Sequence, residues 1–166
     1  LRDVRVADHA WHGRHILSMK YAYARAPWID WVLEWFGALA SLRDRHLIDV
    51  TIPLFEECAK RMGIHKTYLR SSDLKVKGDR TERLVRICKE IQADRYLSGP
   101  SGRGYITPSS FLSEAIELKF FQYSLPAYAQ LHGAFDPHVS ILDVFAMNGP
   151  DSGLLLNGKG QRVVDR

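Results

Sequence analysis

Cysteine is scarce: Cys58 and Cys88 are the only two in 166 residues. That excludes a disulfide scaffold, and two thiols on expected helices read as core residues of a reducing compartment. Long apolar runs are missing too. The richest apolar stretch is broken by Asp30 and Glu34, so no segment is expected to span a bilayer. Neither sign of charge dominates, since 23 Lys and Arg stand against 19 Asp and Glu. The basic residues are scattered, which argues against a nucleic-acid partner. Internal repeats and low-complexity tracts are absent, as is a signal peptide, and a cytoplasmic location is expected. The first residue is Leu1 and not Met, in the alternating run Leu-Arg-Asp-Val-Arg-Val. An N-terminal part is therefore expected to precede it.

What is present is an ordinary globular pattern, 46% hydrophobic, expected to form one α/β domain over 1–150 and a loosely held polar tail over 151–166. Residues 1–7 read as an edge strand. Asp8 is placed to cap a helix to about Tyr23, with Trp11, His15, Met19 and Tyr23 drifting around one face. Pro27 opens a second helix with an apolar stripe of Trp28, Trp31, Val32, Trp35, Phe36 and Leu39. Thr51 is expected to cap a third over 52–62, ending at Gly63. Strands are expected at 66–69, 94–98 and 116–120. Between them lie a helix from Asp79, with Glu82 completing a capping box, and a short helix opened by Pro108. The first of these should bury Leu84, Ile87, Cys88 and Ile91 and leave Arg80, Arg83 and Lys89 to water. Strand–helix alternation with tight links implies βαβ units and a mostly parallel sheet with helices packed on it. A last helix over 140–148 stops at Gly149-Pro150.

The glycine-rich segment from Ser98 to Tyr105 is the strongest candidate site. It follows a strand and precedes a helix, the position at which open α/β sheets bind ligands. Ser98, Gly99, Ser101 and Gly102 offer backbone and hydroxyl donors for an anion, and Arg103 adds a guanidinium fork. A plain βα turn that needs glycine for positive φ is the competing reading. The run is neither a Walker A loop nor G-x-G-x-x-G and names no ligand. A second region runs from Tyr128 and Gln130 through 135–138 to Ser140 and Asp143. Its loop is long and dense in polar and aromatic side chains. Asp143, inside an apolar helix, needs a partner if buried, and either pairs structurally or serves as an acid or base. His9, His12 and His15 spread over about a third of a helical turn, with no further ligands to complete a metal site, so no metal is assigned. His15 is read as packed or ligand-facing, Ser140 as a helix cap, and Cys88 as core.

The run from Gly78-Asp79-Arg80-Thr81-Glu82-Arg83-Leu84 through Ile87-Cys88, Ala93-Asp94 and Tyr96-Leu97-Ser98-Gly99-Pro100-Ser101-Gly102 to Tyr105 resembles the WbqC-like protein family. So do Phe135-x-Pro137-x-x-Ser140-Ile141-x-Asp143 with Asn148-Gly149, and Trp11-x-x-x-His15 with Tyr23 and Ala26-Pro27. The family's usual Met-Gln-Pro-Tyr-type opening is not found here. The resemblance implies an enzyme of surface polysaccharide (O-antigen) biosynthesis, with a glycine or aminoacyl transfer to a sugar suggested, and a distant likeness to nucleotidyltransferases. The expected activity is therefore transferase-like, on an anionic small molecule such as a nucleotide or nucleotide-sugar. Ser98, Gly99, Ser101, Gly102 and Arg103 would hold the anion, Tyr105, Tyr128 and Gln130 would line the pocket, and His15 and Asp143 would move protons. No cofactor is assigned. A non-catalytic carbohydrate- or nucleotide-binding module is the alternative.

Overall fold

Three amphipathic stripes and a buried phenylalanine organise the first part of the structure, a computed structural model that describes residues 3–8, 10–40, 46–157 and 161–164. The chain divides into two compact units, residues 1–65 with 125–159, and residues 66–124 with 160–166.

In the first unit, α1 (Trp11–Ala22) and α2 (Ile29–Ala40) are joined by a short link, and α3 (Leu47–Arg61) follows. The 125–159 segment adds α6 (Ile141–Asn148) and α7 (Ser152–Asn157). Val32, Trp35 and Phe36 of the α2 stripe are buried with Met19, Met62 and Phe145. Phe145 is fully enclosed, and the rings of Trp31 and Trp35 meet it edge-on at 6.0 and 5.9 Å. Such T-shaped contacts add about 0.5–1.5 kcal/mol each to the burial of the rings.

Two helix starts differ from the sequence reading. Asp8 accepts from Ala10 N–H, and its carbonyl accepts from Trp11, so it forms a turn just ahead of α1. The third helix begins at Leu47, not after Thr51, because Asp49 accepts from the His46 N–H at the new start. Thr51 Oγ1 donates back to the Leu47 carbonyl, and Pro53 lies within the helix. Among the described residues 3–7, Arg5 forms an isolated antiparallel bridge to His46, and the expected edge strand is not seen; residues 1 and 2 lie outside the described residues.

In the second unit, α4 (Arg80–Glu90) starts where Asp79 Oδ1 accepts from Glu82 N–H. It buries Thr81, Val85 and Cys88, with Leu84 packed beside them. Ile91 is exposed, contrary to expectation, because the helix ends there and the chain turns through positive φ at Gln92. Arg80, Arg83 and Lys89 are exposed as expected. Strand β1 (Arg95–Ser98) pairs in parallel with β2 (Glu117–Tyr123), in the register Arg95↔Glu117 to Ser98↔Phe120. A 3₁₀ turn (Pro100–Gly104) and α5 (Pro108–Leu112) connect them. Tyr96, Leu118 and Phe120 turn inward onto Val85, Cys88, Ile106, Phe111 and Ile116.

The fold is thus mixed helix and strand, but the larger parallel sheet is not formed. Residues 66–69 are exposed and outside any strand. Only Tyr68 and Leu69 are strongly apolar there, and neither gains a buried face that would reward pairing. The third strand is instead β3 (Gln161–Val164), antiparallel to β2, within the stretch expected to be a loose tail. No helix among the described residues is long and apolar enough to cross a membrane.

Candidate functional site

Two groups of candidate residues stand out, one in each unit. In the first unit Ser140 caps α6, its Oγ accepting from Leu142 N–H at 3.3 Å. This places Asp143 in the first helical turn, where the helix dipole favours a carboxylate. Its side chain is buried, and both of its oxygens are taken. Tyr23, just past α1, donates its phenol to Oδ2 at 2.9 Å, and Tyr128 donates to Oδ1 at 2.6 Å. Gln130 Nε2 donates to Tyr128 Oη at 3.1 Å and to the Asp136 carbonyl at 3.0 Å, while its Oε1 accepts from Asp136 N–H at 2.8 Å. Asp136 in turn accepts from His138 N–H, and Phe135 meets the Tyr128 ring edge-on.

The two phenols titrate well above their usual range. For Tyr23 burial comes first and the Asp143 carboxylate second, and together they push it up to about 12. Tyr128 is raised by the same two causes, partly offset by the Gln130 hydrogen bond. Both phenols therefore remain neutral donors at physiological pH. Chemically, the arrangement fastens the 128–138 loop to α6 and to the end of α1, through a buried carboxylate that accepts a phenol on each oxygen.

His15 lies elsewhere on α1. Its ring packs on Phe36 at 5.6 Å and edge-on against Trp11 at 6.2 Å, eight residues before Tyr23. At 1.5 Å per residue that is about 12 Å along the helix, and among the described residues Asp143 makes no hydrogen bond to it. His9 lies outside the described residues. Among those described, no three His, Cys, Asp or Glu side chains come together as a metal site.

In the second unit the segment after β1 winds into the 3₁₀ turn. Gly102 N–H donates to the Gly99 carbonyl, and Tyr105 and Ile106 N–H both donate to the Gly102 carbonyl. Gly102 does not have a positive φ. Glycine is needed because a Cβ there would overlap the Ser98 hydroxyl and lie 3.2 Å from Ser98 Cβ and 3.0 Å from Ile106 Cδ1. Gly102→Ala is expected to lower the stability of this unit by about 1–3 kcal/mol through overpacking. Combining it with Ser98→Gly should recover part of that in urea unfolding. Arg103 carries its guanidinium 4.3 Å above the buried Phe120 ring, a cation–π contact at the end of the parallel pairing. Ser101 is exposed.

Tyr105 lines a cleft of about 470 Å³ with Asp79, Arg80, Thr81, Glu82, Thr107 and Ser110. Thr81 is its fixed point. It is buried, its Oγ1 donates to the Tyr105 carbonyl, and it accepts from Thr107 N–H, both at 3.2 Å. Three aliphatic hydroxyls, a phenol, an Arg and two carboxylates give the cleft a lining rich in hydrogen-bonding groups.

Residues 1–154 match the description "WbqC-like protein family". The chain belongs to that family. It is also 28% identical, over 155 residues, to an uncharacterized protein of Mycobacterium tuberculosis, a match covering 92% of this chain and 67% of that protein. No solved structure matches. In this WbqC-like chain the segments that carry the resemblance come together within each unit: Tyr23, Phe135, Ser140 and Asp143 around the phenol–carboxylate group, and Asp79, Arg80, Thr81, Glu82 and Tyr105 around the cleft. Sequence reasoning named Tyr128, Gln130 and Tyr105 but missed Tyr23 as a partner of Asp143, and missed Arg80, Thr81, Thr107 and Ser110 as cleft residues. The 78–84 motif held the signal for two of these. It reads as a helix cap, and the residues after the cap form the helix end, where Arg80 is exposed and Thr81 turns in to bond the Tyr105 carbonyl and Thr107 N–H.

Proposed function

We propose that this chain is a transferase-like enzyme of surface polysaccharide (O-antigen) biosynthesis. It acts on a phosphate- or carboxylate-bearing substrate of the nucleotide-sugar kind or, in a second form, moves an aminoacyl group to a sugar. Family membership supports the pathway class. The observation that carries the substrate class is the hydroxyl-lined cleft at the start of α4, where Arg80 and Tyr105 stand over Thr81, Thr107 and Ser110. Sugar hydroxyls pair with the Thr107 and Ser110 hydroxyls, which Thr81 holds in place through its bonds to the Tyr105 carbonyl and Thr107 N–H, and the anionic end takes an Arg fork. Ser98, Gly99, Ser101, Gly102 and Arg103 form the adjoining turn. His15 and Asp143 are the groups offered for proton transfer. Both belong to the first unit; His15 is exposed, and Asp143 has both oxygens taken by the Tyr23 and Tyr128 phenols.

One feature favours the alternative of a binding module without chemistry: both cleft carboxylates are engaged, Asp79 by the Glu82 N–H and Glu82 by Arg86. Calorimetry and product analysis with a panel of nucleotide-sugars, each beside its free sugar and its free nucleotide, separate the two. Arg80→Ala is expected to weaken nucleotide-sugar binding about tenfold or more, the worth of one charge-assisted contact, and to leave the melting temperature nearly unchanged because Arg80 is exposed. Affinity that is the same for nucleotide-sugar and free sugar, and unmoved by Arg80→Ala, would exclude an anionic substrate in this cleft. Binding without any turnover would favour the module.

A further inference from the structure

A second cleft, of about 490 Å³, opens on the same helix and is lined by Lys75, Val76, Lys77, Arg86, Lys89 and Glu90. Four of these six side chains are cationic. One wall is the irregular run through Lys75 and Lys77, both exposed, where the Val76 N–H turns back to the Leu74 carbonyl. The other wall is the second half of α4, where Arg86 and Lys89 are neighbours at i, i+3. Arg86 is anchored across the floor, Nη1 donating to the Lys77 carbonyl at 3.2 Å and Nη2 pairing with Glu82. Lys89 pairs with Glu114 at the rim, and Glu90 is the one acid inside. Lys75 and Lys77 have no carboxylate within ion-pair distance among the described residues, while the Glu82 carboxylate of the neighbouring helix is taken by Arg86. They therefore present uncompensated charge to the cleft, beside an Arg already held in place.

We infer that this basic cleft binds the diphosphate group of a phosphorylated ligand, through Lys75 and Lys77 with Arg86 and Lys89 opposite. Two ammonium groups on one wall and a guanidinium on the other match two linked phosphates better than a single carboxylate, which one Arg satisfies. The inference deepens the anionic-substrate reading and rests on it for the ligand being phosphorylated. It moves the phosphates away from Arg103, whose guanidinium stacks on Phe120. Glu82 lines the hydroxyl-rich cleft and pairs with Arg86 of the basic one, so the two clefts adjoin along α4. Four to eight residues of helix, about 6–12 Å, separate them, a span that a diphosphate ester bridges with its sugar in the first cleft.

The test is calorimetry on the full chain with inorganic pyrophosphate, in low and high salt. The variants are Lys75→Ala/Lys77→Ala, Arg80→Ala and a surface control, Lys66→Ala. Circular dichroism checks that each is folded. The expected result is binding that weakens with salt. It should fall about tenfold or more in the Lys75/Lys77 variant and stay unchanged in the surface control Lys66→Ala. Uridine diphosphate and geranyl diphosphate, titrated in parallel, show from which one gains affinity over pyrophosphate whether the group comes from a free nucleotide or a lipid headgroup. Unchanged affinity in the Lys75/Lys77 variant, an equal loss in Lys66→Ala, or no pyrophosphate binding overturns the inference. If nucleotide-sugar binding is lost in Arg80→Ala while the Lys75/Lys77 variant behaves as wild type, the substrate reading stands and the diphosphate site falls. If nucleotide-sugars bind no better than free sugars while pyrophosphate binding still needs the two lysines, the basic cleft stands and the substrate reading falls.

Discussion

Gly149→Ala is expected to destabilise the first unit by about 2–5 kcal/mol. Two effects add at this position. Gly149 ends α6 at φ +56, a left-handed conformation that costs an L-residue roughly 1–2 kcal/mol. A Cβ there would also lie only 2.6 Å from Cγ and Cε2 of the Trp28 indole. Trp28 cannot easily yield, because its backbone N–H donates to the Ala146 carbonyl on the same helix and its ring meets Trp31 edge-on. Overpacking of that kind costs about 1–3 kcal/mol. Gly133 supplies the control. It has φ +66, but nothing lies within 4 Å of where its Cβ would stand, so Gly133→Ala should show the conformational part alone. Urea unfolding of both variants measures the difference. Equal losses would mean that Trp28 does not press on Gly149. In Gly149→Ala with Trp28→Ala, the clash disappears and the loss should be less than the sum of the two single variants.

Much of the local structure could be read from the sequence where one side chain decides it. Gly149-Pro150 marked the end of α6, Ser140 its cap and Asp79 the start of α4; of the expected capping box half is formed, Asp79 accepting from the Glu82 N–H while the Glu82 carboxylate pairs with Arg86. The parallel pairing of 94–98 with 116–120 was legible because Ile116, Leu118 and Phe120 alternate and the two runs are joined by a tight glycine-rich turn and a short helix. What escaped was decided by distant partners. Nothing within 66–69 reveals that no strand lies beside it, and β3 depends on β2, some forty residues away. The start of α3 was missed because Thr51 is a better cap by type than His46, while the structure uses Asp49 to hold the His46 N–H. For the candidate site, Asp143 was legible as a buried acid that needs partners, and Tyr128 and Gln130 as polar groups nearby. That Tyr23 would complete the set was hidden by a sequence separation of 120 residues.

Removing that carboxylate should be the other large loss. Asp143→Ala is expected to cost about 3 kcal/mol or more, since each hydrogen bond to a charged group contributes roughly 1.5–3 kcal/mol and two phenols would be left without their acceptor. Asp143→Asn should cost less, because its Oδ1 can still accept from one phenol while its amide opposes the other. A double-mutant cycle with Tyr128→Phe tests the coupling, and an interaction energy of about 0.5–3 kcal/mol is expected for groups in one network. Alkaline pH gives an independent signature. Folding raises the Tyr23 phenol from 10.0 to about 12, mainly by burial and next by the Asp143 carboxylate. The stability it contributes is therefore complete below pH 10, where the phenol is protonated in both states. Above that the unfolded chain releases the proton while the folded chain keeps it, and the contribution is lost as pH rises through about 12. Chemical denaturation between pH 9 and about 12 should show this decline in the wild type and a shallower one in Tyr23→Phe. Parallel curves for the two proteins would show that the phenol is not held in its neutral form, and an Asp143→Ala variant as stable as wild type would mean that the carboxylate does not fasten the 128–138 loop.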